Sequence, residues 1–506
     1  NQVDVMGLQA TLYLNGQECD IREIQMLRPR DIEKIEYHDA PSGKYAKDKL
    51  VVNFITKQYR YGGYVQADGL QTIGYDHGDY NVATNYVKGN NSYTVFAGAN
   101  YSHVDGTETW NNENYQFPQS LFERESYSKN SYRNHQEYMQ FRYQNQKGKR
   151  YWVGKFTLVN LSTPRNVSSG FARESTETNV FSNIRKKSLS PKIDLNANLP
   201  LSKNQTLTLG VHGKYSANSY HRLYQEQPFE AMTDEDENAL SFQLSAIYNY
   251  FSQKHSLSVE LFHYHDVRNA DYSGNCELWQ HLWKGGSLAF FSYNFQASRR
   301  LSLKTRIGLD WLQYHLHGDN SFSQLSPRIN TNVQYQLNKG MLLWSFNFVN
   351  SNHGMDVINR AMIQVNSHMM EKGMPELKKS HDINTYLYYM GRFNRLSVSA
   401  IGQFRYNHHP VTDDYYLDEA NRKIVKTYSN GGNAQYYSAI LALQYKLCKF
   451  ANLSGDIRYN HAEVKTTWSK HNNNLTGNLG LNMFMGDFAL KPYLHFGKKS
   501  LDEAAL

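Results

Sequence analysis

Two histidines one residue apart, His263 and His265, share a face wherever the chain is extended, because strand side chains alternate between faces. Neutral imidazoles so placed can begin a transition-metal site, but no third ligand is identifiable beside them. An ordinary pair on a polar strand face or rim is the simpler reading. His381-Asp382 and His408-His409 are the kind of neighbours that 20 histidines produce by chance. Cys19, Cys276 and Cys448 have no Cys-x-x-Cys spacing and are odd in number, so neither a zinc site nor a disulfide framework is indicated. No glycine-rich phosphate loop, nucleophile elbow or paired-carboxylate signature stands out. The expectation is therefore a protein that is not an enzyme, with no catalytic residue, no metal and no cofactor.

Aromatic and cationic side chains offer binding rather than catalysis. Trp110, Tyr115, Trp279 and Trp283 fall in polar, aromatic-rich segments, where their rings could stack on a sugar or a flat siderophore as weak candidates for substrate binding. They would serve equally well in an interfacial girdle, and both readings stand open. Arg142, Lys304, Arg306, Arg405 and Arg458 lie on the polar faces of alternating segments. Gathered in an interior, they would attract an anionic ligand; the reading we favour is that they pair with carboxylates of neighbouring strands or of an inner plug. The net charge of +8 is dispersed along the chain rather than gathered into a basic arm, and nucleic acid is not expected as a partner.

The elements that must position these groups alternate with period two. The stretch "SYTVFAGANYSH" puts Tyr93, Val95, Ala97, Ala99 and Tyr101 on one face and Ser92, Thr94, Gly98, Asn100 and Ser102 on the other. At about 3.3 Å per residue and a tilt of about 40°, the two tyrosines stand roughly 20 Å apart in height, close to the apolar band of an outer-membrane barrel between its aromatic girdles. "LSFQLSAIYNY" from residue 240, "RLSVSAIGQFRY" from residue 395 and the run from Leu301 to Trp311 repeat the pattern. The mean hydropathy of −0.68 does not oppose a membrane, since only every second residue of such a strand faces lipid. No stretch approaches the roughly 18 apolar residues of a transmembrane helix.

Tight polar turns near residues 89–91, 147–149, 202–204, 252–254, 298–300, 338–340, 392–394 and 486–487 alternate with segments expected to be long loops, at 104–135, 163–186, 216–238, 266–286, 350–380 and 408–433. Short turns on one rim and long loops on the other describe an up-and-down antiparallel transmembrane β-barrel. Counting gives about nineteen strands between Gly62 and Phe496, an odd number where bacterial single-chain barrels are even. The first strand starts and the nineteenth ends on opposite rims. We therefore expect a gap between them, a barrel short of the 22 strands of plugged transporters, and an atypical tail at residues 498–506, "KKSLDEAAL".

The first sixty residues differ. "QATLYL" leads into Asn15-Gly16, a type I′ hairpin signal. Ile21, Ile24 and Leu27 have helical spacing, and Ile32 and Ile35 suggest a second short helical run with Asp31 as its N-terminal carboxylate. Leu50 to Ile55 reads as a buried strand after a Pro-Ser-Gly turn.

Here the sequence resembles the TonB-dependent outer-membrane receptors, especially their Bacteroidetes type. Leu14-Asn15-Gly16, "DIEKIEYHDAPSGKY" at 31–45 and "VVNFITK" at 51–57 look like the second half of that family's plug running into the first barrel strand, with Lys49 and Leu50 where the family usually has a glycine pair. The matching plug-motif residues are Asn15, Gly16, Asp31, Glu33, Glu36, Pro41, Ser42, Gly43, Tyr45, Asn53, Thr56 and Lys57. A weaker match, "GMPELKKSHDINTYLYYM" from residue 373, fits at Pro375, Leu377 and Lys378. The resemblance implies an all-β fold preceded by a partial α/β plug: residues 1–60 the C-terminal part of the plug, 61–497 the barrel. It also implies a cell-outer-membrane location, contact with outer-membrane lipid, and uptake of a large or scarce solute energised by TonB, whose contact region would lie before Asn1. A surface lipoprotein is a further conceivable partner, and a non-transporting barrel, adhesin or passive pore, is the alternative.

Overall fold

The computed structural model describes all residues except 1–3, 6–7, 20, 26, 39–50, 58–59, 118–119, 320, 352–354, 486–487 and 498–506. Pro41, Ser42, Gly43 and Tyr45 of the plug motif and the 498–506 tail thus lie outside the described residues.

Among the described residues, nineteen strands between Tyr61 and Gly497 form one sheet that curls into a closed barrel, each antiparallel to the next barrel strand along the chain. Thirteen strands run from Tyr61–Thr72 to Gly340–Ser351; five more end with Ser469–Met485, and a nineteenth is broken at Lys491-Pro492 into Phe488–Leu490 and Tyr493–Gly497. Both pieces pair with Ser469–Met485 in one continuous register, so the break is that of a proline without an N–H to donate. The count matches the alternation, but closure of the barrel corrects the expected gap. With an odd number of strands the first and last run in the same direction, so the seam is where antiparallel order ends. No residue-by-residue register joins Tyr61–Thr72 to Tyr493–Gly497 among the described residues.

The polarity of a water-soluble core is inverted. Val82, Met139, Phe156, Ile193, Leu244, Leu261, Phe291, Ile307, Leu441 and Ile457 are all exposed on the outer face, while Gln140, Arg142, Asp194, Glu260, Lys304 and Asp310 are buried on the inner one. The girdle rings Tyr86, Tyr93 and Tyr143 meet across three neighbouring strands, with centroids 6.3 and 5.0 Å apart. Ala97 sits between Val82 and Met139 in this belt. Ala97→Arg is therefore expected to cost about 2–4 kcal/mol in refolding from lipid vesicles, and inward-facing Asn100→Arg close to nothing. Equal penalties would show the faces to be misassigned. Gly98 also faces inward but is unsuitable as the control, because a Cβ there would lie 2.6 Å from both Asn81 Oδ1 and the Tyr138 ring.

Four of the six expected loops are not loops. Residues 104–135, 163–186, 216–238 and 266–286 continue the barrel strands, so that Ser120–Lys147 is 28 residues long and Glu177–Ser202 is 26. Lipid needs only about ten residues of a tilted strand. Beyond that height the outer face meets water and loses its apolar alternation, which is why the sequence there looks loop-like. The wall from Asn91 to Gln296 is tall, and the remainder, with complete strands of 12 to 17 residues, is low. The two true loops, 350–380 and 408–433, rise from the low side. They combine into a four-stranded sheet, Met362–Gln364, Met369–Lys372, Lys423–Ser429 and Thr412–Asp418, whose central pair is parallel.

A second small sheet lies before the barrel. Thr11–Leu14 pairs with Gln17–Glu18 through Asn15 (φ 52°) and Gly16 (φ 76°), the positive-φ turn the sequence calls for. Val51–Thr56 lies parallel to Thr11–Leu14 and antiparallel to Ile32–His38. Ile21–Gln25 is helical. The expected second helix is instead a single 3₁₀ turn, Pro29–Asp31, followed by strand Ile32–His38: pairing with Val51–Thr56 outweighs a weak helical period. Asp31, expected to cap that helix, is buried and accepts from Arg28 Nε at 2.6 Å.

Candidate functional site

The plug-motif residues that are described knit the small sheet together. Asn15 Nδ2 donates to Thr56 Oγ1 and the Thr56 N–H returns a bond to Asn15 Oδ1, both at 2.9 Å. Gly16 N–H donates to buried Asn53 Oδ1 at 2.8 Å, and Asn53 Nδ2 donates to Glu36 Oε2 at 2.7 Å. Lys57 donates through its N–H to the Asp31 carbonyl at 2.8 Å and through Nζ to the Arg30 carbonyl at 2.7 Å. Glu33 is exposed. Glu23 and Arg28 of this unit reach the barrel wall: Glu23, on the short helix, meets Arg142 Nη1 at 3.2 Å and Lys155 Nζ at 3.4 Å, and Arg28 lies 3.9 Å from the ring centroid of Tyr64 on the first barrel strand.

The interior cations follow the carboxylate-pairing reading. Arg142 meets Glu23, Arg306 meets Glu260 at 2.6 Å and Arg405 meets Asp382 at 2.6 Å. Lys304 is buried on the inner face and Arg458 is exposed on it.

The stacking candidates separate. Trp279 and Trp283 lie on the outer face, where Trp279 meets His281 and His317 and Trp283 meets His265. Trp110 is also outward, stacked with Tyr127 and Phe171 above the belt. Tyr115 alone faces inward, against Phe122 and Tyr415 of the mouth sheet. His263 and His265 point outward too, and the polar-face or rim reading fails at His263, which bonds Ser287 Oγ at 3.0 Å and sits among the apolar side chains of the belt.

What brings an inner site together is contact between the mouth sheet and the tall wall. Arg124, nearly fully buried, donates to Glu174 at 2.8 Å and to both oxygens of Glu226 at 2.8 and 3.1 Å. Ser367 of the mouth sheet donates to Glu226 at 2.7 Å, and His368 meets Glu174 at 2.9 Å. Arg222 donates to the Gln364 and Val365 carbonyls. Glu174, Glu226 and His368 are spaced as metal ligands would be, but the Arg124 guanidinium already supplies the positive charge between the carboxylates. The cluster is an ionic latch. Glu226 lies at the top of a 22-residue strand, beyond the lipid-covered height. Burial would raise its pKa, but the bonds from Arg124, Ser367 and Tyr224 outweigh it and hold the carboxyl at about 2. The sequence carries no sign of this latch, because its contacts join residues 50 to 194 positions apart in the chain and no local motif links them.

Beneath the latch is a cavity of about 1000 Å³ between the tall wall and residues 359–373. Its wall presents Asn100, Gln136, Ser188, Asn218 and Tyr220. Ser188 Oγ donates to Asn218 Oδ1 at 2.6 Å, and Asn218 Nδ2 donates to Glu237 at 2.8 Å, a lateral row of hydrogen-bonding groups on neighbouring strands. On its far side Asn359 Nδ2 donates to Tyr272 Oη at 2.8 Å, anchoring the loop to the wall. Such a chamber can hold a solute by hydrogen bonds.

No protein-family model and no curated protein sequence matches the chain. Solved structures are similar to it in fold. The copper transporter OprC superposes with a TM-score of 0.61 at 10% identity, over 89% of this chain and 70% of that one. The siderophore receptor PirA from Pseudomonas aeruginosa gives 0.58 at 12% identity, over 98% and 85%. The ferripyoverdine receptor of the outer membrane of Pseudomonas aeruginosa gives 0.56 at 10%, over 97% and 73%.

Proposed function

We propose, for a chain that has the fold of these outer-membrane receptors and transporters, that it sits in the cell outer membrane and takes up a large or scarce solute through a plugged β-barrel, energised by TonB. The observation that carries the reading is the inverted polarity of the barrel: an apolar belt around the outside that only lipid or detergent covers, and a polar interior. Residues 1–60 are then the C-terminal part of the plug, its small sheet held on the inner wall through Glu23 and Arg28, and the mouth sheet covers the solute chamber from the other end. A solute captured in that chamber has to pass the small sheet, which is the step for which TonB would supply energy.

Expressed behind an export signal, the chain is expected in the outer-membrane fraction and to migrate faster unheated than boiled in detergent gels. Recovery as a soluble periplasmic protein with no heat-dependent mobility would overturn the proposal.

A further inference from the structure

The chamber under the mouth sheet does not share the positive charge of the chain. Its charged lining is balanced, Lys186, Lys187 and Arg222 against Glu235, Glu237 and Glu371, and Lys187 has the outward parity of the exposed Leu189 and Ile193 on its strand. The chain as a whole carries +8. Arg222 is engaged with the Gln364 and Val365 carbonyls of the mouth sheet, which leaves Lys186 as the cation on the wall; its Nζ stands 5.3 Å from the Tyr220 ring. The carboxylates have partners as well: Glu235 accepts from Tyr272 Oη at 2.8 Å, Glu237 accepts from Asn218 and lies 3.6 Å from Arg268 Nη1, and Glu371 lies 3.7 Å from Lys426 Nζ. What remains to grip a ligand is the row of amides and hydroxyls and the face of Tyr220.

We infer that the solute of this chamber is uncharged and rich in hydroxyl or amide groups, bound by the Asn100–Gln136–Ser188–Asn218 row with an apolar face against Tyr220, and that anionic metal chelates bind less well because the charged groups around it are engaged with one another. The inference rests on the chamber being the receptor site proposed above. Two physical points support it. Neutral amides are easily desolvated and donate and accept in fixed directions, so they suit ligands with many weak polar groups. An anion would find the cations engaged already, Arg222 with carbonyls, Arg268 with Glu237 and Lys426 with Glu371, and would have to break those contacts to pair with more than Lys186.

The test titrates the full chain in nanodiscs with three probes: maltoheptaose, an N-acetylated and C-amidated uncharged hexapeptide, and an anionic ferric tris-catecholate. One of the two neutral probes is expected to bind at least roughly ten-fold more tightly than the catecholate, and Asn218→Ala to weaken it by roughly ten-fold through lost hydrogen bonds. Which neutral probe binds separates hydroxyl from amide recognition. Glu371→Gln, on the mouth sheet and away from the barrel wall, is expected to narrow the preference against the catecholate. Tighter binding of the catecholate than of both neutral probes, or binding of none of the three, overturns the inference. A barrel that inserts and shows heat-dependent mobility yet prefers the catecholate loses only this ligand class; a soluble chain loses the receptor reading itself.

Discussion

Arg124→Ala is expected to release the mouth sheet from the tall wall. The guanidinium is the one cation between Glu174 and Glu226, and both it and Glu226 are nearly fully buried. Removing one partner of a buried ion pair typically costs about 3–5 kcal/mol, because the charge left behind has lost its compensation. Protonation of a carboxylate would limit the loss, and Ser367 and Tyr224 still donate to Glu226 at 2.7 and 2.8 Å. Arg124→Lys keeps the charge but not the two-pronged donor geometry and should fall between. Hydrogen exchange reads the effect directly: amides of Met362–Gln364 and Met369–Lys372 should exchange much faster while barrel amides stay protected. Unchanged exchange in those segments would mean that the latch does not hold the sheet.

The same cluster sets an acid limit. Ser367 of the mouth sheet is one of the donors that hold Glu226 at about 2, while Arg124 and Tyr224 stay beside it on the wall, so docking binds the deprotonated form more tightly. The contribution of Glu226 is present at neutral pH and is lost as pH falls toward 2. Exchange of the mouth-sheet amides should accelerate over that window in the parent chain and show less pH dependence in Glu226→Gln.

The sequence made the barrel legible where lipid imposes a rule. From Tyr93 to Tyr101 every outward position is apolar or aromatic and the inward ones other than Phe96 are small or polar, so face and girdle could be read together. A few residues higher the rule lapses. Asp105, Thr107, Glu108 and Thr109 continue the same strand in water, and nothing in their pattern distinguishes a tall wall from a loop. Asn15-Gly16 announced its turn because positive φ restricts residue type. Ile32 and Ile35 misled because their period is short and the strand partner that decides the matter comes nineteen residues later, at Val51. The latch and the chamber were illegible for a related reason. Arg124, Glu226 and Ser367 meet only once the strands are in register and two separate loops have paired.

A second variant tests how the small sheet is held inside the barrel. Arg142 and Lys155 are direct cross-strand partners on the inner face of the wall, a like-charge pair that would repel if left alone. Glu23, almost wholly buried, brings one carboxylate oxygen to each of them, at 3.2 and 3.4 Å. Arg142 has Gln144 Oε1 as a second acceptor at 3.1 Å and Lys155 has Asp194 at 3.9 Å, but neither neutralises the pair as closely. Glu23→Ala should therefore cost about 3–5 kcal/mol of docking free energy, since it strands two buried cations beside one another. Glu23→Gln should cost less, because an amide oxygen still accepts from one of them. The amides of Ile21–Gln25 should lose protection first, and the strands Thr11–Leu14 and Val51–Thr56 should stay protected by their own pairing. Arg142→Gln combined with Glu23→Gln should recover part of the loss, because removing both charges abolishes the repulsion along with the attraction. If Glu23→Ala leaves exchange at Ile21–Gln25 unchanged, the contact is incidental, and the small sheet is held to the wall elsewhere.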